Sequence, residues 1–240
     1  SFRLNDELVS FPSEEFYSGK LQSSASAAGR RLNIQLPDHD AESRLSLLDP
    51  KRPSQLALIR HEGRGQESPE EAALAACLAC DAMAFGVPPE EIAIIAPHRR
   101  QNVKIRENLA RLGHRGSHPV VDTVERIQGQ ERDLIILSMT LSDPDVMARE
   151  LQFLFLPNRV NVSLTRARRK LVVIASFEFF RALPRPYALS AAGPSPLQSV
   201  NVLKRWYFRH KPFAKEATMM AAEAAEEILA PQPSPAEEAG

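Results

Sequence analysis

The chain has 240 residues, 43% hydrophobic and 25% charged, and its 30 basic and 30 acidic side chains balance to zero formal charge. That composition can fill a sizeable core, and it excludes a globally basic nucleic-acid binder, so any such contact must come from local patches. No run of about 18 apolar residues is present to span a membrane.

The N-terminal Ser1-Phe-Arg-Leu-Asn5 has no apolar signal core and no initiator Met, which reads as a piece of a longer intracellular, cytoplasmic protein. Residues 5–18 read as an amphipathic helix with Leu8, Val9 and Phe11, interrupted at Pro12. Residues 19–54 are rich in Ser, Asp, Arg and Pro and read as a long irregular loop. Leu56–Arg60 reads as a buried strand. Pro69 opens a helix with Glu70 and Glu71 in the first turn, where negative charge suits the helix dipole; it runs to Phe85 and stops at Gly86.

Ile92–Ala96 is a short apolar run without alternation, as in a strand covered on both faces. A helix is predicted from Arg99 to Leu112, strands at Val120-Val121 and Leu134–Ser138, a helix over 158–169 and a strand at Leu171–Ala175. Short strands alternating with helices predict an α/β fold, a parallel β-sheet flanked by helices. In such sheets ligands sit beyond the carboxyl ends of the strands. Residues 1–212 read as one domain, and 213–240 as an Ala/Glu-rich helix with a disordered acidic, Pro-rich tail. Lys204–Lys211 mixes basic and aromatic residues, which suits either nucleic acid or an amphipathic helix packed on the domain. Cys77 and Cys80 lie in an Ala-rich helical pattern with no second pair, and read as buried apolar residues rather than a metal or redox site.

Three polar clusters carry chemistry. Arg159 and Arg166, seven apart on a predicted helix, share one face; two guanidiniums there call for a phosphate or carboxylate, against the plain alternative of a solvated basic helix. The stretch Asp122–Asp133 joins two buried strands and holds Gln128, Gly129 and Glu131; Gly permits close backbone approach to a ligand, and Glu can accept from a ribose hydroxyl. Ala96-Pro97-His98-Arg99-Arg100-Gln101 follows a strand and opens a helix whose Arg99, Arg100, Lys104 and Arg106 could track a phosphate backbone.

The order of these clusters resembles the second RecA-like domain of superfamily 1 helicases, in the branch that includes the nonsense-mediated-decay helicase and its DNA-acting relatives. Phe2-Arg3-Leu4 stands at the family's Tyr-Arg-Met, and Phe16-Tyr17-Ser-Gly19-Lys-Leu21 at its Phe-Tyr-x-Gly-x-Leu. Pro97–Gln101, Gln128-Gly129-Gln130-Glu131 and Arg159–Arg168 match three further motifs. Phe2 and His98 each replace a Tyr. The resemblance covers roughly residues 1–210. It implies a RecA-like P-loop NTPase fold, with Arg3 and Arg166 reaching the γ-phosphate, Phe2 stacking on the adenine, Glu131 on the ribose, and Gln128 and Gly129 in the ATP site near the phosphates. It places Thr123, Pro97, His98 and Arg99 along single-stranded DNA or RNA.

No G-x-x-x-x-G-K-[ST] occurs; Gly19-Lys20 is followed by Leu21, and no apolar strand ends in Asp-Glu. The resemblance therefore implies that ATP and Mg²⁺ are held mainly by a partner, the N-terminal RecA-like domain, and that this chain alone does not turn ATP over. The competing reading is a non-enzymatic RecA-like module that binds nucleic acid or protein.

Overall fold

The computed structural model describes residues 1–114, 119–127, 129–154, 157–183 and 196–230. Six strands form one parallel sheet: β1 (Ser54–Ile59), β2 (Ile92–Ile95), β3 (Val120–Asp122), β4 (Arg132–Ser138), β5 (Ala167–Ser176) and β6 (Lys215–Glu216), in the order β3-β2-β4-β5-β1-β6. The register runs Leu56↔Val173 and Ile94↔Ile136, so β-branched and Leu side chains stack across neighbouring strands. Their apolar runs have no polar face because both faces are covered.

One face carries Leu56, Leu58, Ile135, Leu137, Leu171 and Val173. Helices α1 (Asp6–Tyr17), α6 (Pro157–Leu164), α7 (Phe177–Ala182) and α8 (Pro196–His210) pack there through Leu8, Phe11, Leu164, Phe179 and Trp206. The other face carries Ala57, Ile59, Ile94, Ile136, Val172 and Ile174, under α3 (Pro69–Ala84), α4 (Arg99–Arg111) and α9 (Thr218–Leu229). The expected parallel α/β sandwich is thus the fold. The remaining helices are the four-residue α2 (Ala25–Ala28) and α5 (Pro144–Leu154).

Local chemistry sets the element ends. Asn5 Oδ1 accepts the Leu8 N–H at 2.9 Å and caps α1, while its Nδ2 donates to the carbonyls of Arg30 and Arg169, tying the N-terminal segment to the start of β5. Ser68 caps α3 by accepting from Glu71 N–H, with Pro69 in the first turn, and Gly86 at φ +102° releases the chain after it.

Several expectations change. Pro12 does not interrupt α1; it lies inside a continuous helix and is buried with Leu8, Val9 and Phe11, so packing outweighs one lost hydrogen bond. The helix predicted over 158–169 ends at Leu164, because Ala167 already pairs with Arg132 across β4 and β5. Arg166 therefore lies in the turn and Arg168 on a strand. The 19–54 loop contains α2 and a 3₁₀ turn at Arg44–Leu48 that buries Leu47 and Leu48 completely. The Ala/Glu-rich segment is continuous with the sheet: Lys215-Glu216 pairs with β1, and Met220, Ala221, Ala224 and Ile228 pack onto the layer built by α3. The tail from 231 lies outside the described residues. Among those described, no helix is long and apolar enough to cross a membrane.

A buried network fastens the carboxyl ends of β1 and β4. Glu71, fully buried, accepts from Ser138 Oγ at 2.7 Å and from the Thr140 N–H at 3.0 Å, and lies 2.9 Å from His61 Nε2. Ser142 Oγ lies 3.0 Å from His61 Nδ1, and Gln101 Nε2 donates to Ser138 Oγ at 2.9 Å, bringing in the first turn of α4. Thr140 is held at φ +62°, a conformation rare for a β-branched residue. Glu71's carboxylate is what holds its N–H there.

Candidate functional site

The sequence-predicted residues fall into two groups at opposite ends of the strands. Glu131 immediately precedes β4 and Arg166 immediately precedes β5, so both lie at the amino edge of the sheet. Arg3 reaches the same edge and forms an ion pair with Glu131. This group therefore lies at the edge opposite the carboxyl ends of the strands, where ligands are expected. The helix–strand turn at 165–166, not a strand's end, presents Arg166.

Arg166 is 9% exposed. Its Nε donates to Val162 O at 3.1 Å and its Nη2 to Thr165 Oγ1 at 3.4 Å, so the last turn of α6 braces the guanidinium. Burial, with Arg3 close by, pulls its pKa below the ordinary arginine value, while Glu131 and Tyr17 act the other way. Arg159 does not share its face: it turns to Glu125, with Nε 3.0 Å from Oε1. The two-guanidinium pair at this edge is instead Arg3 with Arg166. Arg3 Nε, though beside Glu131, is buried without an aligned hydrogen-bond acceptor.

Phe2, next in chain, is 84% exposed, which leaves its ring open for stacking. Gly129 sits at φ +86° with open space where a Cβ would point, so backbone conformation, rather than crowding, demands glycine there. Gln128 lies outside the described residues. Two residues given no role from sequence join this edge: Asn161 Nδ2 donates to the Tyr17 hydroxyl at 3.2 Å, and Asn161 Oδ1 is buried without a partner. Both stand inside the quoted motifs, which was the available signal. Two guanidiniums sharing one neighbouring carboxylate suit a phosphate. Among the described residues no cluster of three or more His, Cys, Asp or Glu side chains suits a metal.

At the carboxyl edge, Pro97, His98 and Arg99 follow β2 and Thr123 follows β3, and all four line one open cavity of about 370 Å³ together with Glu125, Arg126 and Arg159. Arg99 and Arg100 are exposed. Arg106 instead donates to Val121 O, and Lys104 pairs with Glu107 at 3.3 Å, so the predicted basic face narrows to the first turn of α4. His98 is 8% exposed, and burial holds its pKa below the usual histidine value; it stands at the N-cap position of α4 without a side-chain capping bond, and its buried Nε2 has no hydrogen-bond partner among the described residues. Thr123 is likewise nearly buried at 9%. On α8, Arg205 and Arg209 pair with Glu15 and Glu14 while Trp206 is buried, which is the amphipathic-helix alternative for Lys204–Lys211. Cys77 and Cys80 are free, with thiols pushed up to about 12 by burial, as expected of packed apolar residues.

A family model described as an AAA domain matches residues 1–178. The chain belongs to this family. Within it, the chain takes the place of the second RecA-like domain of superfamily 1 helicases. It is 32% identical over 207 residues to the "DNA polymerase alpha-associated DNA helicase A" of Saccharomyces cerevisiae, covering 79% of this chain and 29% of that protein. It is 29% identical over 179 residues to the "Regulator of nonsense transcripts 1 homolog" of Drosophila melanogaster, covering 73% of this chain and 15% of that protein. Over 203 residues it is 29% identical to the mouse (Mus musculus) "DNA replication ATP-dependent helicase/nuclease DNA2", covering 76% of this chain and 19% of that one. The chain thus spans less than a third of the length of these relatives.

Proposed function

We propose that this RecA-like helicase domain is one lobe of an ATP-driven nucleic-acid motor, supplying arginines to an ATP site whose P-loop lies on a second lobe. The observation that carries the reading is Arg166, buried and braced at the helix end beside Arg3, with one carboxylate between two guanidiniums. Phosphoryl transfer is catalysed by positioning and charge stabilisation, and an arginine delivered across a cleft contributes about 10³–10⁵ in rate. Arg166 and Arg3 present N–H groups to the γ-phosphate, Phe2 stacks on the adenine, and Glu131 accepts from the ribose. Gly129 lies by the phosphates, and Gln128 belongs to the same motif. Mg²⁺ would supply charge neutralisation to the phosphates when bound, and the other lobe would mainly hold it.

Thr123, Pro97, His98 and Arg99 form part of the track for single-stranded DNA or RNA. Their cavity opens at the other edge of the sheet, and two stretches of chain connect the edges: one leads from Thr123 to Glu131, and α6 with the turn after it leads from Arg159 to Arg166. The Glu125–Arg159 ion pair links these two segments at the track side. Lobe closure around ATP therefore moves elements that also touch the strand. In the protein that joins this domain to its P-loop lobe, Arg166→Ala is expected to lower strand-stimulated ATPase by at least about 10³ while strand binding persists. Turnover near wild type sinks the assignment.

A further inference from the structure

At the amino edge, the guanidiniums of Arg3 and Arg166 lie beside the carboxylate of Glu131. Arg3 faces Glu131 in an ion pair, yet its buried Nε has no aligned acceptor. Arg166 commits Nε and Nη2 to its own helix end, and its Nη1 has no partner among the described residues. Both side chains of the Arg3–Glu131 pair are about one-third exposed, Arg3 at 33% and Glu131 at 30%, so the pair is within reach of solvent and exchangeable. The loop that delivers Glu131 passes through Gly129 at φ +86° with open space beside it, which leaves the carboxylate room to swing. The Tyr17 hydroxyl, held by Asn161, also acts on Arg166.

We propose that Glu131 is an internal competitor for the anion site: its carboxylate occupies Arg3 until a polyphosphate displaces it. The inference rests on the reading of this edge as the phosphate-binding side. One carboxylate cannot satisfy two guanidiniums, and it presents a single charge where a triphosphate presents several along a line. Exchange therefore releases Arg3 to the phosphates and frees Glu131 at the same moment to accept a hydroxyl. A ligand whose phosphates stop short of Arg3 leaves the pair intact. Glu131 thereby sets a threshold that favours the longer polyphosphate, a specificity role separate from holding ribose.

Inorganic tripolyphosphate tests this without ribose or adenine. Its affinity for the purified chain is measured calorimetrically at low salt for wild type, Glu131→Gln, Arg3→Ala, the Arg3→Ala/Glu131→Gln double variant and Arg166→Ala. Glu131→Gln is expected to bind about two- to fivefold tighter, the range a partly exposed ion pair commands, and the gain is expected to vanish in the Arg3→Ala background. An E131Q titration that matches wild type, including the case in which neither responds, overturns the proposal. So does a gain that persists without Arg3, because that is only the removal of a negative charge. Arg166→Ala reports on the underlying reading instead: unchanged tripolyphosphate binding there removes Arg166 from the site, whatever Glu131→Gln does.

Discussion

Arg166, Glu71 and His210 show how much a single side chain's surroundings decide. On spacing alone Arg166 belongs to a basic helix; in the fold it is buried, with Val162 O holding its Nε and Arg3 alongside. Glu71 reads in sequence as first-turn dipole chemistry, yet its main work is across the chain, on Ser138 and Thr140. His210 was part of a basic-aromatic run. It stacks on Trp206 with ring centroids 4.1 Å apart, its Nδ1 lies 2.8 Å from Trp206 O, and burial takes its pKa from 6.5 down to about 4. The sign follows from proton counts. Between pH 6.5 and 4 the unfolded chain binds the proton that the folded chain refuses, so stability is full above 6.5 and falls as pH drops towards 4. The loss is at most about 3 kcal/mol, and His98, shifted the same way, adds to it. Urea midpoints measured from pH 7 to pH 4 are expected to fall, and His210→Gln to flatten much of that slope. A His210→Gln profile as steep as wild type removes this histidine as a cause.

At the scale of elements, the strands were legible because each is a short run of β-branched and leucine residues between polar breaks. Their boundaries were less so: β5 is ten residues long and begins at Ala167, since pairing with β4 recruits Ala167–Lys170 although their sequence is basic. Charge does not forbid them a strand, because Arg168 and Arg169 both reach Asp133 at the sheet's rim. Lys170 is fully buried, but its ammonium donates to Asp49 O, Arg52 O and Gln55 Oε1. The last helix, α9, looked like the start of a tail, yet it packs Met220, Ala221 and Ala224 into the layer over α3. Ala221→Asp sets an unpaired carboxylate at a position 3% exposed and is expected to cost about 3 kcal/mol or more. Glu223→Ala on the exposed side of the same helix is expected to stay within about 0.5 kcal/mol. Chemical denaturation of both variants checks this, and equal midpoints speak against an integral α9.

For the whole molecule, what matters is that one sheet carries two polar edges. The proposed phosphate side lies before β4 and β5, and the proposed strand track lies after β2 and β3, with α6 and residues 123–131 between them. The net charge of zero is then compatible with nucleic-acid binding, because a local set of side chains suffices, and Arg99 and Arg100 in the first turn of α4 are exposed. If Arg99 and Arg100 contact phosphates, the Arg99→Ala/Arg100→Ala variant should weaken single-strand binding and make the log-affinity against log-salt plot shallower by about 0.7 per lost contact. An unaltered slope moves the track elsewhere.

Sequence alone determined the class of fold, the family and the residues worth watching, because strand composition and motif order are local properties that survive without coordinates. It also established that the chain has no P-loop. Tertiary structure alone decided which of those residues meet. Arg166 parted from Arg159 and joined Arg3 and Glu131, from three distant stretches of chain, because β-pairing ended α6 at Leu164 and turned the arginine to the amino edge. Side-chain company of that kind depends on register and packing across the sheet, and no spacing along one segment encodes it.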